Sequence, residues 1–256
     1  MVSKFPGRAL GLLPSRHDAR TYSLRPVLSS RLPDPPTVAD WSLNVPYRMW
    51  RNDTLGDCAF AAHAALVSTW TKASQGVVVL TDDEVVANYA AVTGYDPAAG
   101  ANDDGTVLLN MLQFWRRVGL SRPGQTLDYL TAYGSISPQD IPSIKRAIAY
   151  LGGVLAGIQV PRGFMTLPFG NSWDITKLSG IDLEPVGGHA IAVTGYSPYG
   201  VFFNTWGNRT FMTWRTFSVI ADEAYGLLSR ENWLGIPGTS PKGEDFDALV
   251  AELRAA

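Results

Sequence analysis

Apolar positions recur at helical spacing through the first half of the chain and at strand spacing through the second. From Cys58 to Lys72 the sequence is rich in alanine and lacks glycine and proline. It follows Gly56 and Asp57, a natural N-cap, and so predicts a mostly buried helix beginning at the cysteine. Thr81 with Glu84 three residues later is a capping-box pattern that opens a second helix through Val85 to about Val92. The Gly-, Pro-, Asn- and Asp-rich segment 94–104 ends it. Val107, Leu108, Met111, Leu112 and Trp115 predict a third helix over 106–118, stopped by Gly119. A short helix is expected over 141–150 and a strand over 153–160. Residues 189–196 and 200–206 are two strand-like runs separated by Ser197, Pro198 and Tyr199, a hairpin in outline. A last strand over 212–217 and a short helix over 219–225 follow. A helical half before a β-rich half is the order of an α+β fold.

The ends read differently. Prolines and arginines crowd the N-terminus, including Leu32-Pro33-Asp34-Pro35-Pro36, so residues 1–40 are expected to be an extended arm. Tyr22, Leu24, Val27 and Leu28 are apolar side chains that a free linker would not carry, so the arm should lie on the body, residues 41–235. Residues 236–256 read as a linker and a short helix whose apolar stripe, Leu249, Val250 and Leu253, offers a docking face. Both ends are candidate contacts for protein partners.

Composition narrows the chemistry. With 256 residues, 46% of them apolar, the chain can bury a sizeable core. A net charge of -2 from 21 basic and 23 acidic residues leaves no basic face for nucleic acid. One cysteine excludes an intrachain disulfide, and three histidines beside it make a poor ligand supply, so no metal or cofactor is expected. Asn102, Asp103 and Asp104 lack the ligand series of a calcium loop and read as a turn. His17 reads as solvated and His63, turned away from Cys58 around the helix, as structural. No stretch reaches the roughly 18 apolar residues of a membrane span. The patch Ala9 to Leu13 is too short for a secretion signal, which points to cytoplasmic synthesis.

A thiol nucleophile needs a lowered pKa, which a helix N-terminus and a nearby imidazolium both provide. Cys58 sits where a helix begins, and His189 and Asn204 lie on neighbouring strand-like runs. Three separated segments then carry a resemblance: Asn52-Asp53-Thr54-Leu55-Gly56-Asp57-Cys58, Gly187-Gly188-His189-Ala190, and Asn204-Thr205-Trp206-Gly207. In order and type they resemble the papain-like cysteine peptidases over roughly residues 40–220, and Asp18-Ala19-Arg20 with Leu32-Pro33 ahead of Trp41 resembles the bacterial and phage members. The resemblance implies a two-lobed α+β fold with an N-terminal helical lobe and a C-terminal antiparallel β lobe. It implies Cys58 as nucleophile, His189 as general base and acid, Asn204 as the group orienting the imidazole, and Trp206 as a shield for that bond. Asn52 stands where the family has Gln, as an oxyanion donor. A peptide or protein substrate, cut at a peptide or isopeptide bond through a thioester, would follow. The other reading is a papain-fold structural or interaction protein, for example a phage particle component, with weak or absent activity.

Overall fold

The computed structural model describes residues 2–177 and 182–233, together with 247, 248 and 251. The N-terminal arm is not extended throughout. Ser3–Phe5 (β1) and Arg8–Leu10 (β2) form a tight antiparallel hairpin, and Arg25–Arg31 forms a helix, α1. Pro26 stands in the first turn of α1, where a missing N–H costs nothing, and Val27 and Leu28 are buried beneath it. Ala39–Asp40 (β3) then joins the main sheet.

Cys58–Ser74 is α2, and every residue in it from Cys58 to Thr71 is buried. A buried helix must satisfy its hydroxyls internally. Those of Ser68, Thr69 and Thr71 donate to the carbonyls of Ala64, Ala65 and Val67 at 2.9, 2.8 and 2.7 Å. Asp57 stands at the N-cap position but makes no side-chain cap; its φ of -92° and ψ of 18° lie outside the extended region that capping residues use. Asp82–Thr93 (α3) opens with the full capping box of Thr81 and Glu84 and ends at Gly94, whose φ is 79°. Leu108–Arg117 (α4) completes the helical lobe.

Two short strands, Leu120–Arg122 (β4) and Gln125–Asp128 (β5), pair with each other, a hairpin that the sequence pattern did not announce. Ala132–Ser135 (β6), Ile141–Leu151 (α5) and Val154–Pro161 (β7) follow, then Pro185–Ser197 (β8), Gly200–Thr205 (β9) and Asn208–Thr213 (β10). Trp214–Ile220 is a helix, α6, and Ala221–Leu228 is a strand, β11, the reverse of the order expected there. Thr213 decides it, because its Oγ1 accepts the Thr216 N–H at 3.2 Å and starts the helix. Arg230–Trp233 (α7) ends the described stretch, so the expected linker and helix over 236–256 lie outside the described residues except at 247, 248 and 251.

Among the described residues the main sheet has seven strands, ordered β10-β9-β8-β7-β11-β6 with β3 also on β8, and every pairing in it is antiparallel. The helix α2 packs along β8, which is nearly all buried, so the N-terminus of α2 meets the sheet at one seam. The architecture is α+β in two lobes. No helix among the described residues is long and apolar enough to cross a membrane.

Candidate active site

Cys58 is the first residue of α2, in the turn whose N–H groups have no intrahelical partner. Its Sγ lies against the backbone N–H groups of Ala190 in β8 and of Gly11, just past β2. Ala190 follows His189, so helix and sheet bring thiol and imidazole to the same seam. The His189 ring is buried and stacks on Trp206, with centroids 4.5 Å apart and planes at 20°. Its Nε2 is 2.8 Å from Thr205 Oγ1, and its Nδ1 has no hydrogen-bond partner.

Thr205, not Asn204, holds the imidazole. Asn204 pairs with Ala192 across β8 and β9, which puts it on the Ala190 and Ala192 side of the sheet and leaves its neighbour on the side of His189. The Asn204 amide donates to the Asn208 carbonyl at 3.4 Å and steadies the β9–β10 turn instead. That turn is Trp206 and Gly207, both at positive φ, 46° and 71°. A positive φ on a bulky residue is strained, and here it lays the indole over His189 while its Nε1 donates to the Ala9 carbonyl at 3.3 Å. Strand alternation says that Asn204 and Thr205 face opposite ways, and only the pairing of β9 with β8 decides which of them meets His189.

Asn52 follows Trp50 and Arg51, also at positive φ, 50° and 67°, and is buried. Its Nδ2 donates to the Leu55 carbonyl at 3.1 Å, within its own loop. Asp57, fully buried beside it, has neither carboxylate oxygen in a hydrogen bond, and burial pushes its carboxyl well up. Asp103 accepts from the Gly56 N–H and the Tyr89 hydroxyl, both at 2.9 Å, and pairs with Lys4 at 2.9 Å, so the acidic loop braces the segment before Cys58. His63 is buried edge-on against Trp115, away from the thiol.

No protein-family model and no curated protein matches the sequence. Solved structures do. Xylellain, a cysteine protease from Xylella fastidiosa, aligns over 88% of this chain and 97% of its own, with a TM-score of 0.65 at 17% identity. A cysteine protease of Carica candamarcensis aligns over 76% and 99%, with a TM-score of 0.53 at 14% identity. Procathepsin L 3 of Tenebrio molitor larval midgut aligns over 87% and 76%, at 0.52 and 15%. The fold is papain-like.

In this papain-like frame the seam between the lobes is filled by the chain's own residues 8–13, which we term the strap. The Ala9 N–H donates to the Asn52 carbonyl at 2.9 Å, the Thr106 N–H to the Gly11 carbonyl at 2.9 Å, the Leu12 N–H to the Gly188 carbonyl at 3.1 Å, and the Leu13 N–H to the Thr106 carbonyl at 2.9 Å. The strap therefore runs parallel to Thr106 on one lobe and antiparallel to Gly188 on the other. Gly11 permits the close approach, because a Cβ there would collide with the Gly56 carbonyl. Arg8 anchors the strap. Its guanidinium donates to the carbonyls of Met165 and Leu167 and lies over the rings of Phe169 and Trp206, 4.3 and 5.1 Å from their centroids.

Closure sets the protonation states. Burial pushes the Cys58 thiol up to about 11, with the Ala190 and Gly11 N–H groups opposing it. Burial, with the nearby charge of Arg8, holds His189 down to about 3. In this closed form both groups are neutral.

Proposed function

We propose that the chain is a papain-like cysteine peptidase whose nucleophile is Cys58 and whose general base and acid is His189. One observation carries the reading: a thiol at a helix N-terminus lies against Ala190, while the adjacent imidazole has Nε2 fixed by Thr205 and Nδ1 unpartnered. With Nε2 donating to the hydroxyl, Nδ1 is the basic nitrogen. It takes the proton from Sγ as the sulfur attacks the substrate carbonyl, and returns it to the leaving amine as the thioester forms. Water then attacks the thioester, with the same nitrogen as base, and releases the acid. The Cys58 N–H at the start of α2 supplies one oxyanion donor, and the second hydrogen of the Asn52 amide the other. The substrate is a peptide or protein segment that replaces residues 8–13 in the seam. Loss of the strap's burial lowers the thiol pKa, because the charged form regains solvent and the imidazolium beside it.

Iodoacetamide alkylation read by intact mass tests this directly, since Cys58 is the only cysteine. In the Arg8→Ala chain the alkylation rate should plateau below neutral pH and lose that plateau in His189→Ala, and Cys58→Ala should abolish peptide hydrolysis with the fold intact. A thiol that titrates only near its ordinary value of about 8.5 in the loosened chain would instead favour a non-catalytic scaffold.

A further inference from the structure

Asp57 occupies the N-cap position of α2 and caps nothing. A capping carboxylate takes the N–H of the second or third helical residue. Here the third, the Phe60 N–H, donates to the Asp57 carbonyl at 2.8 Å, and the second, the Ala59 N–H, lies against Cys58 Sγ. The sulfur has taken the donor that the carboxylate would use. Asp57 is left with no exposure and no hydrogen bond at either oxygen. A buried carboxyl that stabilises nothing around it is costly, and a neutral residue at this position would avoid the cost.

The charges around Asp57 do not relieve it. Asp53 in its own loop and Asp103 in the acidic loop both act on it with the same sign as its own charge. Lys4 of β1 is spent on Asp103, and the Tyr89 hydroxyl of α3 also donates to Asp103. On the far side of the seam, Arg8 is bound to the carbonyls of Met165 and Leu167, and the His189 imidazole is neutral in the closed form. Burial and like charges together favour the uncharged carboxyl, so Asp57 ionises above the usual carboxylate range. One residue on, the N–H groups of Ala190, Gly11 and Ala59 favour a thiolate, and the charge of Asp57 opposes it. Two adjacent acids in one buried turn cannot both be charged without cost.

We propose that Asp57 gates the nucleophile by charge: its neutral carboxyl permits the Cys58 thiolate, and its carboxylate suppresses it. Asp57 touches no reacting atom and acts only through Cys58, as a positioning residue. When pH rises, the carboxyl gives its proton to solvent; the sulfur then recovers the proton held by the imidazolium, and the neutral thiol and imidazole remain. The inference rests on the peptidase reading for its consequence, which is hydrolysis that is fastest in acid and declines towards neutral pH.

The test uses the full chain with Arg8→Ala, the loosened form, and reads Cys58 alkylation by iodoacetamide across the pH range. At about pH 5 the rates with and without Asp57→Asn should agree, and at about pH 7.5 the Asp57→Asn chain should react roughly ten-fold faster. Asp57→Ser, also neutral but shorter, should behave as Asp57→Asn does, with circular dichroism reporting an intact fold in both. A site that is merely looser would be faster at both pH values, and that result, or equal rates at both, would overturn the gate. His189→Ala separates this from the peptidase reading. If it leaves every profile unchanged but Asp57→Asn still moves the thiol midpoint down by about one pH unit, the gate stands and the peptidase falls. If His189→Ala removes the acid plateau while Asp57→Asn changes nothing, the peptidase stands and the gate falls.

Discussion

Thr205 Oγ1 can accept the Nε2 proton of His189, and a hydroxyl that does so leaves Nδ1 as the acceptor nitrogen. Thr205→Val should therefore lower peptide hydrolysis by roughly ten- to a hundred-fold, the effect of leaving a buried polar group unpaired. Asn204→Ala should cost less, because its amide supports a turn; steady-state kinetics on the two variants gives the comparison. Asn52→Ala should lower kcat by about 10²–10³ if the amide is the second oxyanion donor. A thiol at a predicted helix start and a histidine at a predicted strand start were legible from local pattern. The identity of the imidazole's partner was not, because it depends on which of two consecutive residues shares a sheet face with His189. That is a register question between β8 and β9.

At the scale of elements, the strap and α2 form one device. Arg8 holds the strap through two backbone carbonyls and two aromatic faces. Arg8→Ala should raise the alkylation rate of Cys58 about ten-fold or more at constant pH, since charged hydrogen bonds contribute on this order. Gly11→Ala should have the same sign, because the new methyl cannot coexist with the Gly56 carbonyl and must lift the strap. Unchanged alkylation in both variants, with circular dichroism unaltered, would mean that the closure does not depend on these contacts. The elements themselves were legible where local chemistry announces them, as at Thr81 and Glu84. They were not where tertiary pairing decides. The strap carries no helix or strand pattern in residues 11–13, and the stretch Phe217 to Ala221, apolar but for Ser218, joins a helix end to a strand start without a breaker.

For the whole molecule, acid and base pull the closed form in opposite directions. His189 is held to about 3 against its usual 6.5, so between those values an unfolded chain binds a proton the native one refuses, and stability falls as pH drops through that window. Glu223 is raised to about 7 from 4.5, so its contribution is complete below 4.5 and is lost as pH rises to about 7. Melting temperatures measured from pH 7 down to 4.5 should therefore fall more steeply in Glu223→Gln than in the wild type, by roughly 5 °C. In His189→Gln they should rise. Two-lobed α+β architecture was readable at this scale from the order of helical and β-rich halves, but the covering of one lobe junction by residues 8–13 was not, since nothing local marks a segment for a distant groove. Residues 14–17, which join the strap to the rest of the chain, are exposed and carry no regular structure. An intramolecular segment acts at an effective concentration on the order of millimolar, whereas a severed one competes only at its bulk concentration. A single cut in 14–17 would turn a tethered occupant into a dissociable one, and dilution alone would then make the opening irreversible.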